Sequence, residues 1–403
     1  MNAVGIDVSK GKSMVAILRP YGEIISTPFE IKHTSSDINA LVEQIKSVEG
    51  ESRIVMEHTG RYYEVLAHQL AQANLFVSAV NPKLIKDFDN DSLRKVKSDK
   101  ADAVKIARYA LDKWQNLKQY SVMDELRNQL KTMNRQFGFY MKHKTAMKNN
   151  LIGILDQTYP GVNTYFDSPA RSDGSQKWVD FASTYWHVDC VRKMSLIAFT
   201  DHYQKWCKRN KYNFSQAKAE EIYGTAKELV PVLPKDEVTK LIIKQAVDQL
   251  NSASATVESL RSLMNETAAK LPEYPIVMEM KGVGPSLGPQ LIAEIGDVTR
   301  FHSKGALTAF AGVDPGVNES GTYAQKSVPT SKRGSADLRK TLFQVMDALI
   351  KTMPQDDPVY MFLDKKRAQG KPYYVYMTAG ANKFLRIYYG RVNEYLSTLP
   401  ESN

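Results

Sequence analysis

Strand-length apolar runs and helical patterns alternate over the first 118 residues, and the period then lengthens to that of long helices. Asn2–Val8 and Ser13–Leu18 are short apolar runs separated by a Gly-Lys turn, the pattern of a hairpin. Ile24–Ile31 reads as a third strand. Ser36–Val48 has helical spacing, with Ser35 or Ser36 as its cap. Arg53–Glu57 predicts a strand, Tyr62–Ala73 a helix, and Leu75–Val80 a strand stopped by Asn81-Pro82. A last helix begins near Ser98 and carries Ala103, Ile106, Ala107 and Ala110 on its apolar side. Three adjacent strands followed by alternating helices and strands is the order of an RNase H-like α/β domain.

Beyond Lys118 the spacing of apolar positions changes. Leu126, Leu130, Met133, Phe137, Tyr140, Lys144, Met147, Leu151 and Ile154 fall at alternating steps of four and three. Ile243, Ala246, Leu250, Ala253, Val257, Leu260, Met264, Thr267 and Leu271 repeat that pattern. Each seam runs for about four heptads with one polar interruption, Lys144 or Thr267, which suits a coiled coil and equally two long helices of a single-chain bundle. Between the arms, Trp178–Leu233 predicts a helical insertion rich in aromatic and basic residues, as in Tyr203-Gln204-Lys205-Trp206-Cys207-Lys208-Arg209. Such a mixture can stack on nucleic acid or form a packed subdomain with a solvated basic face. A Pro-rich break at Pro272–Pro275 opens a third segment, with a Gly-rich stretch at Lys281–Gly321 and helical runs at Leu338–Thr352 and Gly380–Leu396. The expected organisation is an α/β domain over 1–118, coiled-coil arms with a helical insertion over 119–271, and a mainly helical domain over 272–403.

Composition narrows the classes. The 403 residues suffice for two or three domains, and 43% hydrophobic with 24% charged residues is ordinary for a globular protein. Neither a membrane-length apolar run nor a secretory N-terminus is present in the sequence. Two cysteines, Cys190 and Cys207, fit neither a disulfide framework nor a zinc site, so a cytoplasmic protein is expected. Fifty-four Lys and Arg against 44 Asp and Glu give a net charge of +10, which favours a polyanionic partner.

Four carboxylates carry the candidate chemistry. Asp7 and Glu57 lie at the ends of two expected strands, where an α/β sheet places its site. Asp99 and Asp102 sit three residues apart on a helix's first turn, and so share one face. Singly, each has an ordinary alternative, as a turn residue or as a complement to the helix N-terminus. Converging, they would repel one another unless divalent cations intervened. An all-oxygen ligand set suits Mg²⁺ or Mn²⁺. Two ions roughly 4 Å apart would clamp the attacking and leaving oxygens of a phosphodiester exchange.

The stretches Gly5-Ile6-Asp7-Val8-Ser9-Lys10, Met56-Glu57-His58-Thr59-Gly60-Arg61-Tyr62 and Lys97-Ser98-Asp99-Lys100-Ala101-Asp102-Ala103 resemble the three DEDD motifs of the IS110 family of insertion-sequence transposases. The C-terminal segment resembles that family's second domain, through Gly282-Val283-Gly284-Pro285, Ala293-Glu294-Ile295-Gly296-Asp297, Phe310-Ala311-Gly312-Val313-Asp314-Pro315, Glu319-Ser320-Gly321, Ser331-Lys332-Arg333-Gly334-Ser335 and Asp337-Leu338-Arg339-Lys340. The resemblance implies a RuvC-like domain whose acids hold divalent metal, and a C-terminal domain with a nucleophilic serine that forms a phosphoserine link to DNA. It further implies recombination of donor and target DNA guided by a structured non-coding RNA. The two domains would meet across protomers of a dimer that assembles to a tetramer, in the bacterial cytosol. Carried onto this chain, the nucleophile is Ser320.

On its own chemistry, Ser320-Gly321 is a turn where backbone approaches closely, and its hydroxyl needs a base or metal to become a nucleophile. Ser327, Ser331 and Ser335 compete for the role. Lys281-Gly282-Val283-Gly284-Pro285 resembles a helix-hairpin-helix turn that offers backbone N–H groups to phosphate, or is a plain tight turn. Lys332, Arg333, Arg339 and Lys340 form a basic cluster suited to a phosphate clamp, or to a solvated helix start. His58, beside Glu57, is expected to pack rather than to catalyse. Two other functions remain open at this level: a RuvC-like junction nuclease with the serine structural, and a nucleic-acid scaffold whose acids bind no metal.

Overall fold

The computed structural model describes residues 1–58, 60, 62–88, 98–120, 124–314, 319–320, 323–324, 330 and 334–399. It divides into two compact units, Met1–Val122 and Met123–Asn403.

The first unit is a five-stranded sheet with helices on both faces. Its elements are β1 (Asn2–Ser9), β2 (Lys12–Leu18), β3 (Ile24–Lys32), α1 (Ser35–Ser47), β4 (Ser52–Glu57), α2 (Tyr62–Gln72), β5 (Phe76–Val80), α3 (Pro82–Asp87) and α4 (Asp99–Asp112). The strand order is β3-β2-β1-β4-β5. The first three strands form an antiparallel meander, and β4 and β5 run parallel to β1. Alternation along each strand sorts side chains onto two faces. Val4, Ile6, Ile54, Met56 and Val77 pack with Leu41 of α1 and Leu66 and Leu70 of α2. Ala3, Val55 and Val80 pack with Ile106, Ala107 and Ala110 of α4, as the apolar side of that helix requires.

Two local features differ from expectation. The cap of α1 is Thr34, whose hydroxyl accepts from the Asp37 N–H at 3.3 Å, so Ser35 is already helical. Asn81-Pro82 ends β5 and at once opens α3: the Asn81 side chain accepts from the Lys83 N–H at 2.9 Å, and proline occupies the first turn, where its missing N–H is harmless.

Among the described residues, the second unit is helical apart from a two-stranded ribbon. The two seams form α5 (Glu125–Leu155) and, after α6 (Lys177–Thr184), α7 (Asp189–Arg192), α8 (Leu196–Arg209) and α9 (Gln216–Glu228), the helix α10 (Glu237–Ala268). These two long helices pack against each other within one chain. They run antiparallel, since Leu151 and Leu155 of α5 share a core with Ile243 and Leu250 of α10, while Leu130 and Phe137 share another with Val257 and Met264. Lys144, the polar break in the first seam, faces Glu258 across the pair at 3.9 Å. In the insertion, Tyr203, Trp206 and Cys207 are buried with Phe181, Tyr185 and Phe199, whereas Gln204, Lys205, Lys208 and Arg209 stay exposed. The aromatics there build a core, and the basic residues form its solvated face. Cys190 and Cys207 are free thiols.

The C-terminal part comprises α11 (Tyr274–Met278), α12 (Leu287–Ile295), α13 (Lys304–Ala311), the antiparallel pair β6 (Glu319–Ser320) and β7 (Tyr323–Ala324), α14 (Ala336–Thr352), α15 (Pro358–Ala368) and α16 (Tyr373–Thr398). Its core is continuous with the adjoining ends of α5 and α10. Arg127 of α5 forks onto Glu273, just before α11, with contacts of 2.6–3.1 Å, and that carboxylate is 2% exposed. Among the described residues, no helix is long and apolar enough to cross a membrane.

Candidate active site

The geometry of the acidic group begins at a glycine. Gly5 lies on the face of β1 that receives α4, and a Cβ there would stand 2.2 Å from the Ala103 carbonyl oxygen and 2.3 Å from the Ala107 nitrogen. The helix therefore rests directly on the strand backbone. Asp7, two residues further along β1, points to the same face and lies beside the first turn of α4. That turn is fixed by Ser98, whose hydroxyl accepts from the Ala101 N–H at 3.3 Å, and it carries both Asp99 and Asp102. The parallel register pairs Gly5 with Val55 and Ile6 with Met56, so Asp7 and Glu57 follow in step at the same end of adjacent strands. Glu57 shares the face of Val55.

Electrostatics report the convergence. The Asp7 carboxyl is pushed up to about 6, first by burial and then by the negative charges of Asp102, Asp99 and Glu57. Ionised Asp7 is disfavoured by the three acids around it, and a cation is what would relieve it. Their donor set is all oxygen, which fits a hard divalent ion. Among the described residues, no three His, Cys, Asp or Glu side chains stand close enough to ligate one ion as they are placed. Lys12, at the β1–β2 turn, is a neighbour that sequence reasoning missed. Its ammonium is held protonated by its hydrogen bond and ion pair with Glu30, with a further contribution from Asp99. His58 is exposed; its backbone N–H donates to the Val80 carbonyl at 3.0 Å, and its ring tilts 6.3 Å from Tyr63.

In the second unit, the backbone of Ser320 pairs with Tyr323 in the β6–β7 ribbon. Ser327, Ser331, Lys332 and Arg333 lie outside the described residues. Ser335 caps α14: its hydroxyl accepts from the Leu338 N–H and donates to Glu294, both at 3.1 Å. Lys281 is exposed, with its ammonium 3.9 Å from Asp356. Gly282 takes φ +76° between α11 and α12, and a Cβ on it would press on Leu349 at 2.8 Å. Among the described residues, and apart from its chain neighbours, nothing lies within 4 Å of where a Gly284 Cβ would be. Arg339 donates through one nitrogen to the carbonyls of Ala311 and Gly334, at 3.0 and 3.1 Å. Gly334 itself is packed so tightly on Phe310 and Gly312 that no side chain fits, and the Ser335 N–H donates to the Phe310 carbonyl at 2.8 Å.

Beneath this junction lies Glu294, 3% exposed, a second group not anticipated from sequence. It accepts from Asn134 at 2.7 Å, from the Arg135 guanidinium at 2.8 and 3.0 Å, and from Ser335. Arg135 also pairs with Asp337. The available signal was an acid inside the apolar stretch Leu291–Ile295 of α12.

Comparison with known proteins agrees with this division. Residues 4–160, which contain all four acids, match a family model described as transposase, of the DEDD type of IS110 elements. Residues 274–360 match a second, described as transposase of the IS116/IS110/IS902 family. The chain therefore carries two transposase domains of the IS110 family. It is 22% identical over 275 residues to the insertion element IS110 43.6 kDa protein of Streptomyces coelicolor, covering 68% of this chain and 65% of that one. A 22% identity over 321 residues links it to the insertion element IS116 44.8 kDa protein of Streptomyces clavuligerus, over 79% of this chain and 77% of the relative. The pilin gene-inverting protein of Moraxella bovis is 23% identical over 341 residues, covering 85% of this chain and 80% of that protein.

Proposed function

We propose that the chain cleaves and rejoins DNA strands through a serine-linked intermediate, with Asp7, Glu57, Asp99 and Asp102 forming the metal-holding group of a RuvC-like, RNase H-like domain. The observation that carries the reading is the placement of Asp7 and Glu57 at the same end of adjacent strands, with Asp99 and Asp102 on the first turn of the helix packed on that face. The strand order β3-β2-β1-β4-β5, with acids at the ends of the two central strands, supports the same fold assignment. Divalent Mg²⁺ or Mn²⁺ held there would stabilise charge on the reacting phosphate.

In the proposed step, the Ser320 oxygen forms a bond to phosphorus while the bond from phosphorus to one bridging sugar oxygen breaks. The serine proton passes to a carboxylate, and the departing oxygen takes up a proton. Rejoining reverses the sequence on a second strand and frees the serine. As the family resemblance implies, the reading has the serine and the acids meet across protomers of a dimer that assembles to a tetramer. Lys281, Gly282, Gly284, Lys332, Arg333 and Arg339 are proposed to hold the nucleic-acid backbone without reading its sequence. Sequence choice would come from a structured guide RNA, and the site of action would be the bacterial cytosol.

Trapping on a nicked DNA substrate tests the proposal. A covalent protein–DNA adduct should form in wild type and vanish in Ser320→Ala. Asp7→Asn should reduce it by at least about a hundredfold, the usual scale for lost charge stabilisation. Free cleaved ends with no adduct would favour the junction nuclease, and recombination surviving loss of the acids would favour a scaffold.

A further inference from the structure

The end of α15 and the start of α16 lie beyond the matched transposase stretch, which closes at residue 360. Four cations fall within seven residues there: Lys365, Lys366 and Arg367 in the last turn of α15, and Lys371 in the connection. Lys365, Arg367 and Lys371 are exposed, and among the described residues their side chains have no hydrogen-bond or ion-pair partner. Directly after them come two exposed tyrosines, Tyr373 at 44% and Tyr374 at 74%. An exposed tyrosine offers a broad apolar ring face to a ligand, and here it stands beside concentrated positive charge.

The rings are held rather than loose. The Tyr373 hydroxyl donates to Asp347 of α14 at 3.1 Å, and its ring meets Tyr374 edge-on at 5.2 Å and Tyr376 at 5.5 Å. Tyr374 also approaches Phe343 of α14 at 6.4 Å. Lys340, one turn before Phe343, is exposed and extends the basic surface along α14. On the other side, Lys366 and Lys383 both lie over the Phe362 ring, at 5.5 and 4.9 Å. Fixed aromatic faces flanked by cations form the combination that binds unpaired nucleotides: phosphates meet the cations and a base stacks on the ring.

We propose that the α15–α16 junction is a stacking platform for a single-stranded stretch of nucleic acid, with Tyr374 as the stacking ring and Lys365, Arg367 and Lys371 as phosphate contacts. The inference rests on the nucleic-acid reading above, yet it does not need the serine chemistry. Either a strand opened during cleavage or an unpaired RNA segment would supply the ligand.

Fluorescence anisotropy with full-length protein carrying Ser320→Ala, so that nothing is cleaved, tests it. The probes are a 20-nucleotide oligo(dT), an oligo(U) of equal length and a blunt 20-bp duplex. Tyr374→Ala should weaken single-strand binding about tenfold, while Tyr374→Phe stays at wild-type affinity and duplex binding is unchanged. Lys365→Gln with Lys371→Gln should flatten the salt dependence by about two phosphate contacts. A loss confined to oligo(dT) assigns the platform to DNA, and one confined to oligo(U) assigns it to RNA. Unchanged single-strand binding in Tyr374→Ala, or equal losses on single strand and duplex, overturns the platform. The adduct experiment reports separately: an adduct without single-strand binding sinks the platform alone, and single-strand binding without an adduct sinks the serine reading alone.

Discussion

Gly5 and Ala103 meet backbone to backbone: a methyl group on Gly5 would stand 2.2 Å from the Ala103 carbonyl oxygen. That contact sets the distance from α4 to the sheet, and so the distance from Asp99 and Asp102 to Asp7.

Gly5→Ala should accordingly push α4 off the sheet. The expected loss is about 1–3 kcal/mol of unfolding free energy, the usual range for overpacking a filled core. Denaturant titration of the variant gives the first number, and Mn²⁺ titration the second. Metal affinity should fall with stability, because the helix carries two of the acids. An unchanged midpoint would mean that the helix is not held where it is placed.

The pH dependence follows from Asp7. Its carboxyl moves from an ordinary 3.8 to about 6, so the folded, metal-free protein holds a proton that the unfolded chain has released. Stability in EDTA should therefore fall as pH rises from about 4 to 6 and level off above that. The displacement corresponds to at most about 3 kcal/mol, and less at a half-exposed group. Differential scanning fluorimetry across that window, with Asp7→Asn as the reference, isolates this contribution: the difference between the two proteins should grow with pH. Mn²⁺ should raise the melting temperature most above pH 6, where no proton must first leave.

Asp102 is the neighbour whose charge raises Asp7 most. In Asp102→Asn, the Asp7 titration midpoint should move down from about 6 towards the normal range, as carboxyl NMR would report. A midpoint that stays put would show burial acting alone.

Arg127 and Glu273 join α5 to the start of α11 inside the second unit. Glu273→Ala leaves the guanidinium with Asp124 as its remaining charged partner, and the expected loss is about 3–5 kcal/mol. Urea unfolding of the full chain measures it. The double change Arg127→Met with Glu273→Leu should recover much of the loss, since removing both charges leaves neither one stranded.

The order of strands and helices in the first unit was legible because each strand is short, apolar and punctuated. Asp7 and Glu57 could be placed at the ends of β1 and β4, but that they share a face follows only from the parallel register of the two strands. Three adjacent hydroxyls, Thr34, Ser35 and Ser36, made the α1 cap ambiguous, since only backbone geometry decides which oxygen reaches the Asp37 N–H. The long seams of α5 and α10 were likewise visible, but not their pairing within one chain, which rests on contacts such as Lys144–Glu258 more than a hundred residues apart. The aromatic and basic run at Tyr203–Arg209 allows a nucleic-acid surface but fits a packed helical subdomain with a solvated basic face better. Burial of Tyr203 and Trp206 separates the two readings. Glu294 was hidden for a related reason, since its partners Asn134, Arg135 and Ser335 come from distant parts of the chain.

Phe310 and Ser335 are joined through their backbones, and Arg339 ties Ala311 to Gly334. The chain thus departs from the helical framework and re-enters it at one place. Because Gly334 leaves no room for a side chain against Phe310 and Gly312, the two passages of the chain through this junction are fixed as a pair, and a substitution on either side displaces both.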